Sequence, residues 1–203
     1  MGNIEASVSS ASRLSKEVGD VPFQVAVRES SGFVVIPFDA TDEMDKDLIR
    51  ILNNTLNKFL KTLTNTKSRL QGNRVNEVGR RIEELLVNEL NKQPLNVKKL
   101  GSSGYPDVEI SHRGRTIYLE MKTSTLDENS SFRYFYFTNG KKIKCNAKHL
   151  LLDIKVSEES PHYWKVEKWA LSDLSRLKLR LKCEFNASKS DLLDREARLL
   201  VSQ

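Results

Sequence analysis

Two acids and a lysine in the stretch GYPDVEISHRGRTIYLEMKTS, residues 104–124, have the types and spacing to do chemistry. Twelve residues separate Asp107 from Glu120, and Lys122 lies two beyond Glu120. Side chains alternate along a strand, so over Thr116–Lys122 the residues Ile117, Leu119 and Met121 turn one way while Tyr118, Glu120 and Lys122 turn the other. Asp107 and Glu109 oppose Val108 and Ile110 in the same manner, and the polar turn SHRGR joins the two runs as a hairpin. Folding the hairpin back brings Asp107 beside Glu120. Two converging carboxylates repel each other unless a divalent cation lies between them, and oxygen donors of this kind suit Mg²⁺. Lys122, on the face of Glu120, then stands near a bound water or a phosphate oxygen. Phosphodiester hydrolysis needs such a set: a water of lowered pKa, a cation to absorb charge, and a positive group to orient the water.

Pro106-Asp107 followed by Glu120-Met121-Lys122 resembles the signature of the PD-(D/E)xK nucleases, which include type II restriction endonucleases, junction resolvases and repair nucleases. The resemblance implies an α/β, restriction-endonuclease-like core, a mixed β-sheet flanked by α-helices. It implies Asp107 and Glu120 as Mg²⁺ ligands, joined by the backbone carbonyl of Met121, and Lys122 as the catalytic lysine. Family members often carry a further acid on the preceding helix as Gly-x-x-x-Glu, and Gly79 to Glu83 has that form. A helical wheel sets Glu83 at the margin of the apolar stripe and turns Glu77 and Glu84 away, so Glu83 is the preferred acid and Glu77 the reserve.

The function implied is that of a Mg²⁺-dependent endonuclease, most like a type II restriction enzyme, cutting double-stranded DNA at a short specific sequence. Two copies related by a two-fold axis cut a palindrome most simply, so a homodimer is expected, as is a companion DNA methyltransferase acting on the same site. The competing readings are a repair or Holliday junction nuclease of the same superfamily, and a catalytically silent DNA-binding protein.

Charge is consistent with an anionic partner. The 203 residues carry a net charge of +6, with seven Lys or Arg against the single acid Glu77 from Lys58 to Ile82, and five against none from Ser131 to Leu150. Candidate DNA contacts are Thr123, Ser124, Arg133, Lys141, Lys142, Lys144 and His149. Each has a plainer explanation: strand-end hydroxyls satisfy backbone groups, surface lysines are solvated, and a histidine ending a basic run is more often structural. Cys145 and Cys183 form no metal-ligand spacing and are expected reduced, which fits a cytoplasm, and no apolar run approaches a membrane span; the resemblance to restriction enzymes implies a prokaryotic cell.

The elements that must hold the site follow from periodicity. Residues 1–20 read as a flexible arm and 21–203 as one nuclease domain with its catalytic core at about 74–156. Phe23–Val27 and Gly32–Phe38 read as short strands, 42–63 and 74–91 as amphipathic helices, and 132–137, 149–156, 163–170 and 176–183 as further strands. A short helix over 189–201 ends the chain.

Overall fold

The computed structural model describes residues 20–65, 70–101, 103–125 and 135–181, with residues 7, 9, 10 and 13 of the N-terminal arm. Contacts divide the chain into a unit from Pro22 to Leu177 and a second unit made of residues 1–21 and 178–203. Of the second, Ser7, Ser9, Ser10 and Arg13 are helical, and Val21 and Lys178–Leu179 belong to strands β1 (Val21–Pro22) and β8 of a two-stranded sheet.

The main unit is built on a six-stranded mixed sheet of order β2-β7-β6-β5-β4-β3. Its strands are β2 (Leu70–Gln71), β3 (Asn96–Lys99), β4 (Val108–His112), β5 (Arg115–Ser124), β6 (Lys148–Ser160) and β7 (Tyr163–Asp173). Only β5 and β6 run parallel; all other neighbours are antiparallel. Among the described residues three α-helices accompany the sheet: α1 (Phe23–Ser31), α2 (Glu43–Asn65) and α3 (Val75–Leu90). This is the restriction-endonuclease-like α/β core expected from the sequence.

The core forms on one face of the sheet. Leu48, Leu52, Leu56 and Phe59 of α2 and Val78, Ile82, Leu86 and Leu90 of α3 recur at three- and four-residue intervals, giving each helix one apolar stripe. Those stripes bury against Val108, Ile110, Ile117, Leu119, Leu150, Leu152 and Ile154, the alternate residues of β4, β5 and β6. The register Ile110↔Ile117 and Val108↔Leu119 sets both strands of the hairpin with their apolar residues toward the helices. Glu109, Tyr118 and Glu120 are thereby turned to the opposite face.

Two expected strands are not strands. Phe23–Val27 lies at the start of α1, because Phe23 and Val27, four residues apart, are both buried while the intervening Val25 is 47% exposed. Alternation and helical spacing coincide over five residues, and packing selects the helix. Gly32, at φ 79°, ends it by donating its N–H to the Arg28 carbonyl. From Gly32 to Phe38 only Val35 forms a bridge, an isolated parallel one with Ala147 just before β6. Phe135 and Phe137 also lie outside any strand; their rings meet Phe23 and Tyr105 edge to face, so packing of separate rings takes the place of a ladder. Over 176–181 the strand is limited to Lys178–Leu179, following a single 3₁₀ turn at Leu174–Arg176. Residues 132–134, 182–183 and the helix expected over 189–201 lie outside the described residues.

A buried ion network ties α2 to the beginnings of β5 and β6. Asp45 is 2% exposed and binds Arg115 at 2.7 Å and Lys148 at 2.6 Å, while the Asp39 N–H donates to it at 2.8 Å. Arg115 also forks onto both oxygens of Asp42 at 2.8 Å, which holds the Asp42 carboxyl at about 2. Removing one member of a buried pair strands its partner. Asp45→Ala is therefore expected to lower the unfolding free energy by about 3 kcal/mol in urea denaturation, whereas Glu43→Ala, at the exposed Lys46 pair, should change it by less than about 1 kcal/mol.

Candidate active site

β4 and β5 are paired as far as Val108↔Leu119, and one step further Asp107 and Glu120 face each other on the side of the sheet away from α2 and α3. At this point the strands separate and a side chain takes over the ladder: Asp107 Oδ2 accepts the N–H of Met121 at 2.8 Å. That bond fixes the Asp107 carboxylate against the backbone of the residue next to Glu120. Glu120 is 4% exposed, and Lys122 Nζ lies 2.5 Å from its Oε1. Its second oxygen, Oε2, is enclosed and has no hydrogen-bond partner.

The electrostatics follow from this crowding. Burial, and next the charge of Asp107, raise the Glu120 pKa to about 7, and Lys122 opposes them only in part. An unpartnered carboxylate oxygen beside a second carboxylate has the donor chemistry a hard cation takes, and two carboxylates are sufficient when the ion keeps waters of its own. The donors present thus fit a divalent ion such as Mg²⁺. Among the described residues, no group of three or more acids, histidines or cysteines could share one ion.

Glu83 accordingly stands apart from the acid pair. It leaves α3 toward β3 and binds Lys99, Nζ to Oε1 at 2.7 Å. Glu77 is exposed and accepts the Asn73 N–H at 2.8 Å, which ties the residue before the N-cap to the first turn of α3. Gly79 has a packing reason for being glycine: a carbon added there would lie 3.2 Å from Thr123 Cβ, so its absence lets α3 come close to β5. Thr123 therefore faces the helix, on the side opposite Glu120 and Lys122. Ser124 is half-buried at the strand end.

The basic candidates divide. Lys141 and Lys144 are exposed, while Arg133 lies outside the described residues. Lys142 is turned inward and donates to the carbonyls of Gly104 at 2.7 Å, Pro106 at 2.9 Å and Gly101 at 3.3 Å, so it braces the turn that leads into Asp107. His149 is fully buried, and burial pushes its pKa down to about 4, leaving a neutral ring with no surface to offer a phosphate. Its Nδ1 lies 2.6 Å from the hydroxyl of Tyr105, in a cluster of rings with Phe23 and Tyr118. Tyr105, Lys99 and the inward role of Lys142 were not singled out from sequence; the position of Tyr105 two residues before Asp107 was the one available signal.

A family model described as the type II restriction enzyme MjaV family matches residues 17–196. The chain belongs to that family. It is 34% identical to the type II restriction enzyme MjaV of Methanocaldococcus jannaschii, over 87% of this chain and 86% of the relative. As a member of the MjaV family it is a site-specific endodeoxyribonuclease, and the matched stretch contains the hairpin with Asp107, Glu120 and Lys122 and both helices beneath it. No helix among the described residues is long and apolar enough to cross a membrane.

The raised pKa of Glu120 makes stability depend on pH. Between about 4.5 and 7 the folded metal-free protein keeps a proton that the unfolded chain has lost, so stability falls as pH rises through this range. Glu120→Gln is expected to stabilise the metal-free protein at pH 8 by roughly 2 kcal/mol and to change little at pH 4. Urea denaturation in EDTA at the two pH values measures the difference.

Proposed function

We propose that this MjaV-family chain hydrolyses phosphodiester bonds of double-stranded DNA at a short specific sequence, through a PD-(D/E)xK site built on Asp107, Glu120 and Lys122. The observation that carries the reading is the enclosed, unpartnered Oε2 of Glu120 beside Asp107 and Lys122. Such an oxygen is costly to bury as a charged group, and an ion taken up by the site would offset that cost.

Asp107, Glu120 and the carbonyl of Met121 would hold Mg²⁺. In an extended residue the N–H and C=O point to the same edge, and the Met121 N–H points to Asp107, so the Met121 carbonyl is directed to the same edge. When bound, the cation offsets the charge of the phosphate oxygens and lowers the pKa of the attacking water. Lys122, its ammonium held in place by Glu120 Oε1, orients that water and stabilises the hydroxide formed from it, the proton passing to solvent. A bond forms between the water oxygen and phosphorus while one ester P–O bond breaks, and Asp107 keeps its carboxylate aligned throughout by its bond to the Met121 N–H.

The exposed Lys141 and Lys144 would meet the DNA backbone, and the basic character of residues 131–150 favours the same partner. The protein would act as a homodimer on a two-fold symmetric sequence, in a prokaryotic cytoplasm where a DNA methyltransferase protects that sequence without binding the nuclease. A repair or junction nuclease of the same superfamily would instead cut branched DNA without regard to sequence.

Plasmid DNA incubated with the protein and Mg²⁺ should give discrete fragments, and Asp107→Ala, Glu120→Ala and Lys122→Ala should each reduce the rate by at least about 100-fold. Cleavage that survives Asp107→Ala, or intact plasmid across many sequences, would count against the reading. A second measurement needs no substrate. Mg²⁺ or Ca²⁺ should raise the melting temperature of the wild type, because the ion binds the folded protein, and should have a much smaller effect on Glu120→Gln.

A further inference from the structure

We propose that Lys99 is a second phosphate-binding cation of the active site and that Glu83 is its positioning residue, not a metal ligand. The inference rests on the nuclease reading of Asp107, Glu120 and Lys122.

β3 runs beside the residue that carries the Asp107 carboxylate. Lys99 is in register with Val108, and the next residue, Leu100, donates its N–H to the Asp107 carbonyl at 2.8 Å. Lys99 shares the face of Val108, toward α3, where Glu83 Oε1 meets its Nζ at 2.7 Å. The Lys99 side chain is 43% exposed, so the ammonium, with three N–H donors and one directed to Glu83, opens to solvent at the open end of the β4–β5 hairpin. Glu83 holds that ammonium in its charged form, and Glu84 and Asp107 add to the pull. Lys122 and Lys99 then lie on opposite faces of the sheet with Asp107 at the strand end between them. A sugar-phosphate chain crossing this open end presents a charge at each nucleotide, so the phosphate next to the one being cut can meet Lys99.

A metal-binding Glu83 and a lysine-positioning Glu83 differ in what they change. Cleavage of plasmid DNA maps the cut site, and a short duplex carrying that site then serves as the probe, bound in Ca²⁺ over a series of salt concentrations. Lys99→Met should weaken binding and lower the slope of log affinity against log salt by about one, with Lys99→Arg retaining the wild-type slope. Glu83→Gln should change affinity in the same direction and leave the Mg²⁺ concentration for half-maximal cleavage unchanged. A Glu83→Gln variant needing far more Mg²⁺, with an unaltered salt slope, would make Glu83 a metal ligand and overturn the proposal. Wild-type affinity and slope in Lys99→Met would also overturn it, reducing the pair to a surface ion bridge. Either failure leaves the nuclease reading standing so long as Asp107→Ala and Glu120→Ala remain inactive.

Discussion

The bond from the Met121 N–H to Asp107 Oδ2 is the constraint on which the site depends. At the end of the β4–β5 ladder a backbone N–H would ordinarily find a carbonyl of the next strand. Here a carboxylate takes that place, and the substitution has two consequences. It satisfies the orphan donor, so the strands can part without leaving a polar group unpaired. It also holds a negative charge within the field of Glu120, whose own carboxyl is buried on the same side. The hairpin thus ends its own pairing by means of a carboxylate that is also part of the proposed site.

Much of this was legible because strand periodicity is strict. Once Ile117, Leu119 and Met121 belong to the core, Glu120 and Lys122 must share the other face, and no tertiary information is needed to say so. The two long helices were equally plain, since α2 and α3 repeat their apolar residues through several turns. Short elements were not. Phe23, Val25 and Val27 satisfy both periods, and only the burial of Phe23 and Val27 against rings from distant segments selects helix.

The basic residues illustrate a second limit. Lys141, Lys142 and Lys144 stand together in the sequence, yet Lys142 spends its donors on three carbonyls of the turn before Asp107 while its neighbours face solvent. Likewise His149 follows a run of lysines but lies under Tyr105 and Phe23. A local charge count reports what a segment carries, and burial is decided by chain that arrives from elsewhere. Lys99 carries no local signal for the same reason: its neighbours are Glu83 and Asp107, which the sequence sets sixteen residues before it and eight after.

The contrast between the two buried acids, Asp45 and Glu120, explains why one is structural and the other is read as functional. Both are almost fully enclosed, at 2% and 4% exposure. Asp45 receives Arg115, Lys148 and a backbone N–H, enough donors to replace the water it has lost, and the result fastens a helix to two strands. Glu120 receives one lysine on one oxygen, and on its other side it meets a like charge. Burial without compensation lowers stability, so a folded chain carries it where another component completes the set. The balance of donors against buried oxygens therefore separates the two sites more clearly than burial or charge does alone, and it points to the same three residues as strand parity by an independent route.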